Sequence, residues 1–119
     1  MNINFKGIYA ANIVPLKSDK SIDVENLIKH VMEISDVKGI RGLLVNGHAG
    51  ENFTLGGDEQ IQVLKIIKKS IKKKSLIISG VNFEDPQVAA CIAKEMIESG
   101  ADAILIFPPF SWSQGISTK

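Results

Sequence analysis

Residues 42–51 read Gly42-Leu43-Leu44-Val45-Asn46-Gly47-His48-Ala49-Gly50-Glu51. The change of character within this stretch decides the fold. Its first half is an apolar run without alternation, the habit of a parallel strand covered on both faces. Its second half is a turn bracketed by glycines, followed by Phe53-Thr54-Leu55 and a helix start near Gly57-Asp58-Glu59. Two glycines around a tight turn can aim backbone N–H groups outward, forming a nest that holds a carboxylate or oxyanion without a cationic side chain. The C-terminal end of a parallel strand is where barrel enzymes keep their active sites. Glu51 is expected to orient the loop from within by accepting backbone hydrogen bonds. The competing reading is a glycine-rich connection with no ligand, and spacing alone does not choose between them.

Three further apolar runs flank this one, at residues 7–16, 76–81 and 103–107, and three segments of helical period lie between the four. The first helix carries Val24, Leu27, Ile28, Val31 and Ile34 on one stripe, with Asp23 as N-cap and Gly39 as a left-handed terminator. The second buries Ile61, Leu64, Ile67 and Ile71, with Asp58 and Glu59 at its positive end. Asp85-Pro86 opens the third, a stripe of Val88, Ala89, Ile92, Ala93 and Met96 follows, and Gly100 closes it. Cys91 and Met96 are expected to pack on this helix. The strands follow one another at about thirty residues, the size of a βαβ unit. Such an order fits a doubly wound sheet or a barrel. A dinucleotide-binding sheet would want Gly-x-Gly-x-x-Gly after the first strand, where Ile13-Val14-Pro15-Leu16 stands, and no Walker pattern occurs. A flavodoxin-like domain would need a phosphate loop at Val14-Pro15-Leu16-Lys17, which is unsuited to it. The expectation is one α/β domain over residues 1–119, the N-terminal half of a (β/α)8 barrel with about four parallel strands and three helices.

Composition excludes several classes of function. With 14 basic and 13 acidic residues the formal charge is +1, so no basic field is available to draw in nucleic acid. The one basic run, Lys68-Lys69 and Lys72-Lys73-Lys74, falls at a helix end, where it favours the dipole. No apolar run approaches the ~20 residues of a membrane span, and residues 1–6 lack the apolar stretch of a signal peptide. A single cysteine rules out an internal disulfide framework and suits a reducing, cytoplasmic compartment.

The chain resembles the dihydrodipicolinate synthase/N-acetylneuraminate lyase family. Members carry a Gly-Thr/Ser-Thr-Gly-Glu segment followed by a leucine and an acidic helix start, and the matching frame here is Gly47, Gly50, Glu51, Leu55 and Glu59. The opening residues 7–16, Ile22-Asp23, Ser79-Gly80-Val81, Gly100-Ala101-Asp102-Ala103 and Phe107-Pro108-Pro109-Phe110 match in order, so the likeness spans almost the whole chain. It implies a pyruvate- or keto-acid-handling lyase, aldolase or sugar-acid dehydratase that works through a lysine Schiff base. No metal and no organic cofactor is implied. Gly47, His48, Ala49, Gly50 and Glu51 would hold the substrate carboxylate.

Three departures narrow this expectation. His48 and Ala49 replace the family's two hydroxyl residues, so the backbone cradle survives but the relay hydroxyl does not. His48 reads either as a contact to the carboxylate or to a distal polar group, or as a solvated loop histidine. A Tyr-Tyr pair of many synthases reads Phe110-Ser111 here, and the adjoining Trp112 is expected to serve an interface or core. A full barrel takes ~250 residues, so the Schiff-base lysine and its tyrosine are expected beyond residue 119, a position that Lys119 does not fill. The chain by itself is therefore expected to lack catalytic residues. The alternative is a non-catalytic half-barrel that binds carboxylates or assembles. Homo-oligomers follow from the resemblance, and self-association from the open sheet edges.

Overall fold

The computed structural model describes residues 3–72 and 74–111. Four strands and three helices alternate: β1 (Ile8–Ala11), α1 (Val24–Asp36), β2 (Ile40–Val45), α2 (Gly57–Ser70), β3 (Leu76–Val81), α3 (Pro86–Glu98) and β4 (Ala103–Ile106). Two single 3-10 turns, His48–Gly50 and Asn52–Thr54, fill the β2–α2 connection. All pairings are parallel and the sheet order is β1-β2-β3-β4. This is the expected half of a (β/α)8 barrel.

Strand register explains where the core sits. Leu43 pairs with Ile77 and Val45 with Ser79. These residues, with Val81, face the helices and are buried against Leu27, Val31, Leu64, Ile67 and Met96. Alternation turns Leu44 and Ile78 to the opposite, inner face, where they are only half-buried. Each helix is held at its ends by local chemistry. Asp23 accepts from the Asn26 N–H, and Asp85 Oδ1 accepts from Gln87 N at 2.7 Å and Val88 N at 3.3 Å beside Pro86 in the first turn. At the start of α2 the Glu59 carboxylate reaches back to the Gly56 N–H at 2.8 Å. Gly100, at φ 112°, closes α3 in a Schellman arrangement: its N–H meets the Ile97 carbonyl, and the Ala101 N–H meets that of Met96.

Several expectations change. β1 stops at Ala11 instead of running to residue 16, because its partner β2 ends at Val45, one residue past the Ala11–Leu44 pair. The chain folds there into a small loop closed by the Leu16–Ile22 bridge. β2 starts earlier, at Ile40, and ends before Asn46, which turns left-handed at φ 53°. Gly39 does adopt φ 99°, but α1 has already ended at Asp36 with an extended Val37, so Gly39 shapes the following turn instead. Cys91 is exposed rather than packed, and Val24 and Val88 also lie on the wet side of their helices. Met96, in contrast, is fully buried. The basic residues Lys68 and Lys69 do occupy the last turn of α2. Lys73 and Trp112 lie outside the described residues. Among the described residues no helix is long and apolar enough to cross a membrane.

Candidate functional site

The C-terminal ends of the strands share a feature that sequence reasoning passed over. Asn12 follows β1, Asn46 follows β2 and Asn82 follows β3. All three are visible in the sequence as an amide directly after an apolar run. Asn12 and Asn46 are buried, and their side chains tie down the connections that leave the sheet. Asn12 donates from Nδ2 to the Ile13 carbonyl at 2.9 Å. Asn46 donates to the Gln60 carbonyl at 3.0 Å and to the Ser79 hydroxyl at 3.2 Å. Ser79 in turn donates to the Met96 sulfur at 3.0 Å. Gln60 Nε2 donates to the carbonyls of Asn52 and Leu55. The result is a buried polar layer that joins β2, β3, α2 and α3 beneath the turn at residues 47–51. Its donors on Asn46, Gln60 and Ser79 are paired, whereas Asn46 Oδ1 and Gln60 Oε1 are buried without a partner among the described residues.

The turn itself differs from its expected construction. Neither Gly47 nor Gly50 takes a left-handed conformation; the residues that do are Asn46 and Glu51, at φ 53° and 52°. Gly50 is needed for close approach, since a Cβ there would sit 3.1 Å from the Asn12 carbonyl oxygen. The N–H groups of Gly50 and Glu51 are spent inside the turn, on the carbonyls of Gly47 and His48. Those of His48 and Ala49, in its first turn, meet no backbone carbonyl in this way among the described residues. The Glu51 side chain is exposed and makes no hydrogen bond among the described residues. Its backbone carbonyl orders the loop instead, accepting from the Thr54 N–H and hydroxyl, both at 2.8 Å.

His48 is exposed but held in place. Its ring stacks on Phe107 with centroids 4.2 Å apart, lies 5.7 Å from Phe110, and meets Phe53 edge-on at 6.3 Å. The Asn82 amide nitrogen lies 3.1 Å from His48 Nε2. With the amide donating, Nε2 is the acceptor and the ring proton sits on Nδ1. Room for the stack comes from Gly80, where a Cβ would lie 2.7 Å from the Phe107 ring and 2.2 Å from the Asn46 carbonyl oxygen. The β4 connection is secured separately: Glu84 accepts from the Ser111 hydroxyl and, at 3.2 Å, from its N–H. The Ser111 hydroxyl bond holds the Glu84 carboxyl below its usual range. Ser111 thus clamps the β3 and β4 connections together through Glu84.

Thus residues 47–51, Asn82 and Phe107 come together at one end of a parallel half-barrel. The model of the dihydrodipicolinate synthetase family matches residues 4–116. The chain belongs to this family. Among solved structures of dihydrodipicolinate synthetase relatives, CdNal from Clostridium difficile, in complex with mannosamine, is 28% identical with a TM-score of 0.81, and the match covers 98% of this chain and 39% of that one. N-acetylneuraminate lyase from Fusobacterium nucleatum is 26% identical at a TM-score of 0.77, with 96% of this chain and 38% of that one covered. Dihydrodipicolinate synthase from Aquifex aeolicus is 28% identical at 0.80, over 89% of this chain and 36% of that one. The chain therefore spans less than two fifths of the length of these relatives. The family frame is now legible as structure: Gly50 for close approach, Leu55 for the core, Glu59 for capping α2.

Proposed function

We propose that this chain carries the carboxylate-binding part of a keto-acid lyase or aldolase that acts through a lysine Schiff base. The observation that carries the reading is the turn at residues 47–51, whose His48 and Ala49 N–H groups meet no backbone carbonyl among the described residues, at the C-terminal end of β2 in a family of aldolase and lyase type. A keto-acid carboxylate would accept from these two N–H groups, with the His48 Nδ1–H as a further donor. Binding there would orient the ketone carbon toward the lysine. That lysine and its tyrosine would come from beyond residue 119. The neutral amine attacks the ketone carbon and water leaves. The protonated imine then takes up the electron pair as the neighbouring carbon–carbon bond breaks, releasing an aldehyde. No metal or organic cofactor enters this scheme. The substrate class follows the relatives: an N-acetylneuraminate-type sugar acid is the first to try, and pyruvate is the common fragment. We place the reaction in the cytoplasm of a cell, in keeping with one exposed thiol and no disulfide.

Pyruvate titrated into isotope-labelled chain should shift the His48 and Ala49 amide signals more than those of the opposite sheet end. Unmoved signals at both positions would refute the carboxylate role. Borohydride with pyruvate should leave the mass of this chain unchanged, because its described lysines are surface groups; a single stable adduct would place the nucleophile within it. A second reading, a carboxylate-binding module without chemistry, is favoured by the completeness of the His48, Asn82 and Phe107 arrangement within this chain. Binding without any adduct, even with the remainder of a barrel present, would select it.

A further inference from the structure

We infer that the groove at the opposite end of the sheet from residues 47–51 is a binding site for an oligophosphate anion. The groove holds about 350 Å³ and lies where α1 and α2 end and β2 and β3 begin. Lys38, Arg41, Lys72 and Lys74 line it, and Asp36 is the one carboxylate among them. Asp36 is spent on Lys72, whose Nζ lies 2.5 Å away. Among the described residues Lys38, Arg41 and Lys74 meet no carboxylate. These uncompensated cations share one concavity in a chain whose formal net charge is only +1.

Neither helix accounts for them. A helix C-terminus favours cations within its last turn; in α2 these are Lys68 and Lys69, and α1 has none there. The groove cations come later in the chain, where it returns into the strands. Gly39, at φ 99°, shapes the first return, in which the Ile40 N–H meets the Val37 carbonyl at 3.2 Å. In the second the Ser75 N–H meets the Lys72 carbonyl at 2.9 Å. Arg41 is the most informative of the set. It shares the helix-side face of β2 with Leu43 and Val45, both wholly buried, yet it is itself exposed. Its stem lies against Gly7, where a Cβ would come within 2.6 Å of the Arg41 Cβ, so the chain entering β1 carries no side chain where Arg41 is seated. The guanidinium makes one contact of 3.5 Å, to the Asn4 carbonyl. Like charges gathered in this way repel one another unless an anion lies between them. A planar guanidinium fork with flexible ammonium groups beside it suits phosphate oxygens. Two linked phosphates carry roughly three negative charges, enough to answer Lys38, Arg41 and Lys74 together, whereas one phosphate carries about two at most.

The test titrates inorganic pyrophosphate into isotope-labelled chain at low ionic strength, where exposed charges are least screened. The amide signals of Lys38, Gly39, Arg41 and Ser75 should move together, and those of residues 47–51 should stay. Inorganic monophosphate should bind roughly tenfold more weakly. Arg41→Glu should weaken pyrophosphate binding by roughly tenfold or more. Lys94→Glu, the same change of charge at an exposed site on α3, should leave it within about twofold. Should Arg41→Glu misfold, Lys74→Glu, at an exposed residue, reads the same site. ADP carries the same diphosphate: tighter binding than pyrophosphate would assign the site to a nucleotide, and equal or weaker binding to the free anion. Shifts spread over all the lysines, an equal loss in Lys94→Glu, or no shift at all would overturn the inference. No keto acid enters these measurements, so the carboxylate role of residues 47–51 stands or falls separately.

Discussion

The middle of the sheet and its margins are built from the same residue types and behave in opposite ways. Leu43 and Ile77, on β2 and β3, are wholly inaccessible, whereas Ile8 and Ile106 on β1 and β4 stand largely in water. All four face the helix layer. What separates them is cover: Leu43 and Ile77 belong to the core cluster that residues of α1, α2 and α3 complete, whereas Ile8 and Ile106 lie outside it. Apolar sequence therefore announces which strands a finished barrel would bury, while burial in this chain follows from which neighbours are present. The hydrophobic contribution tracks area actually removed from water, roughly 25 cal/mol per Å².

Truncation in the centre should have the largest effect. Ile77→Ala is expected to cost about 2–5 kcal/mol in urea unfolding, the range for deleting a fully buried branched side chain. Gly80→Ala comes next, at about 1–3 kcal/mol, because the new methyl meets the Asn46 carbonyl and the Phe107 ring. It should also move the His48 ring signals in a proton spectrum. Asp85→Ala removes the acceptor for two N–H groups at the start of α3, an expected loss of about 1 kcal/mol in the same assay. Ile8→Ala at the margin should stay within about 0.5 kcal/mol. A loss as large as that at Ile77 would break the contrast between centre and margin. The smallest effect concerns the Glu84–Ser111 clamp. Glu84 is held below its usual value by the Ser111 hydroxyl, so the clamp is intact above the ordinary carboxylate pKa and is lost as pH falls through the lowered one. The Ser111 amide shift followed against pH should report a midpoint below 4.5, and Ser111→Ala should move the Glu84 midpoint upward.

Local features were legible in the sequence because they depend on neighbours along the chain. Asp85-Pro86 and Gly100 frame α3 as read, and Asp23 caps α1. A turn does follow β2 at residues 47–51, but its left-handed residues are Asn46 and Glu51 rather than the glycines. The burial of Met96 and exposure of Cys91 are not separable from helical period alone, because both lie near the apolar stripe and only the position of β3 decides between them. The layer of Asn46, Gln60, Ser79 and Met96 joins residues far apart in sequence, and no pairwise spacing announces it. One signal was available and unused: an asparagine after each of the first three strands.

The Met96 sulfur, sealed beneath β3 and bonded to Ser79, has a chemical consequence of its own. Peroxide cannot reach it until the sheet and α3 part, whereas Met32, on the outer side of α1, is 45% exposed. The two thioethers make a built-in clock: Met32 registers the dose of oxidant, and Met96 registers how often the layer beneath the turn at residues 47–51 opens. Any partner or ligand that steadies that layer should slow the second reading and leave the first unchanged.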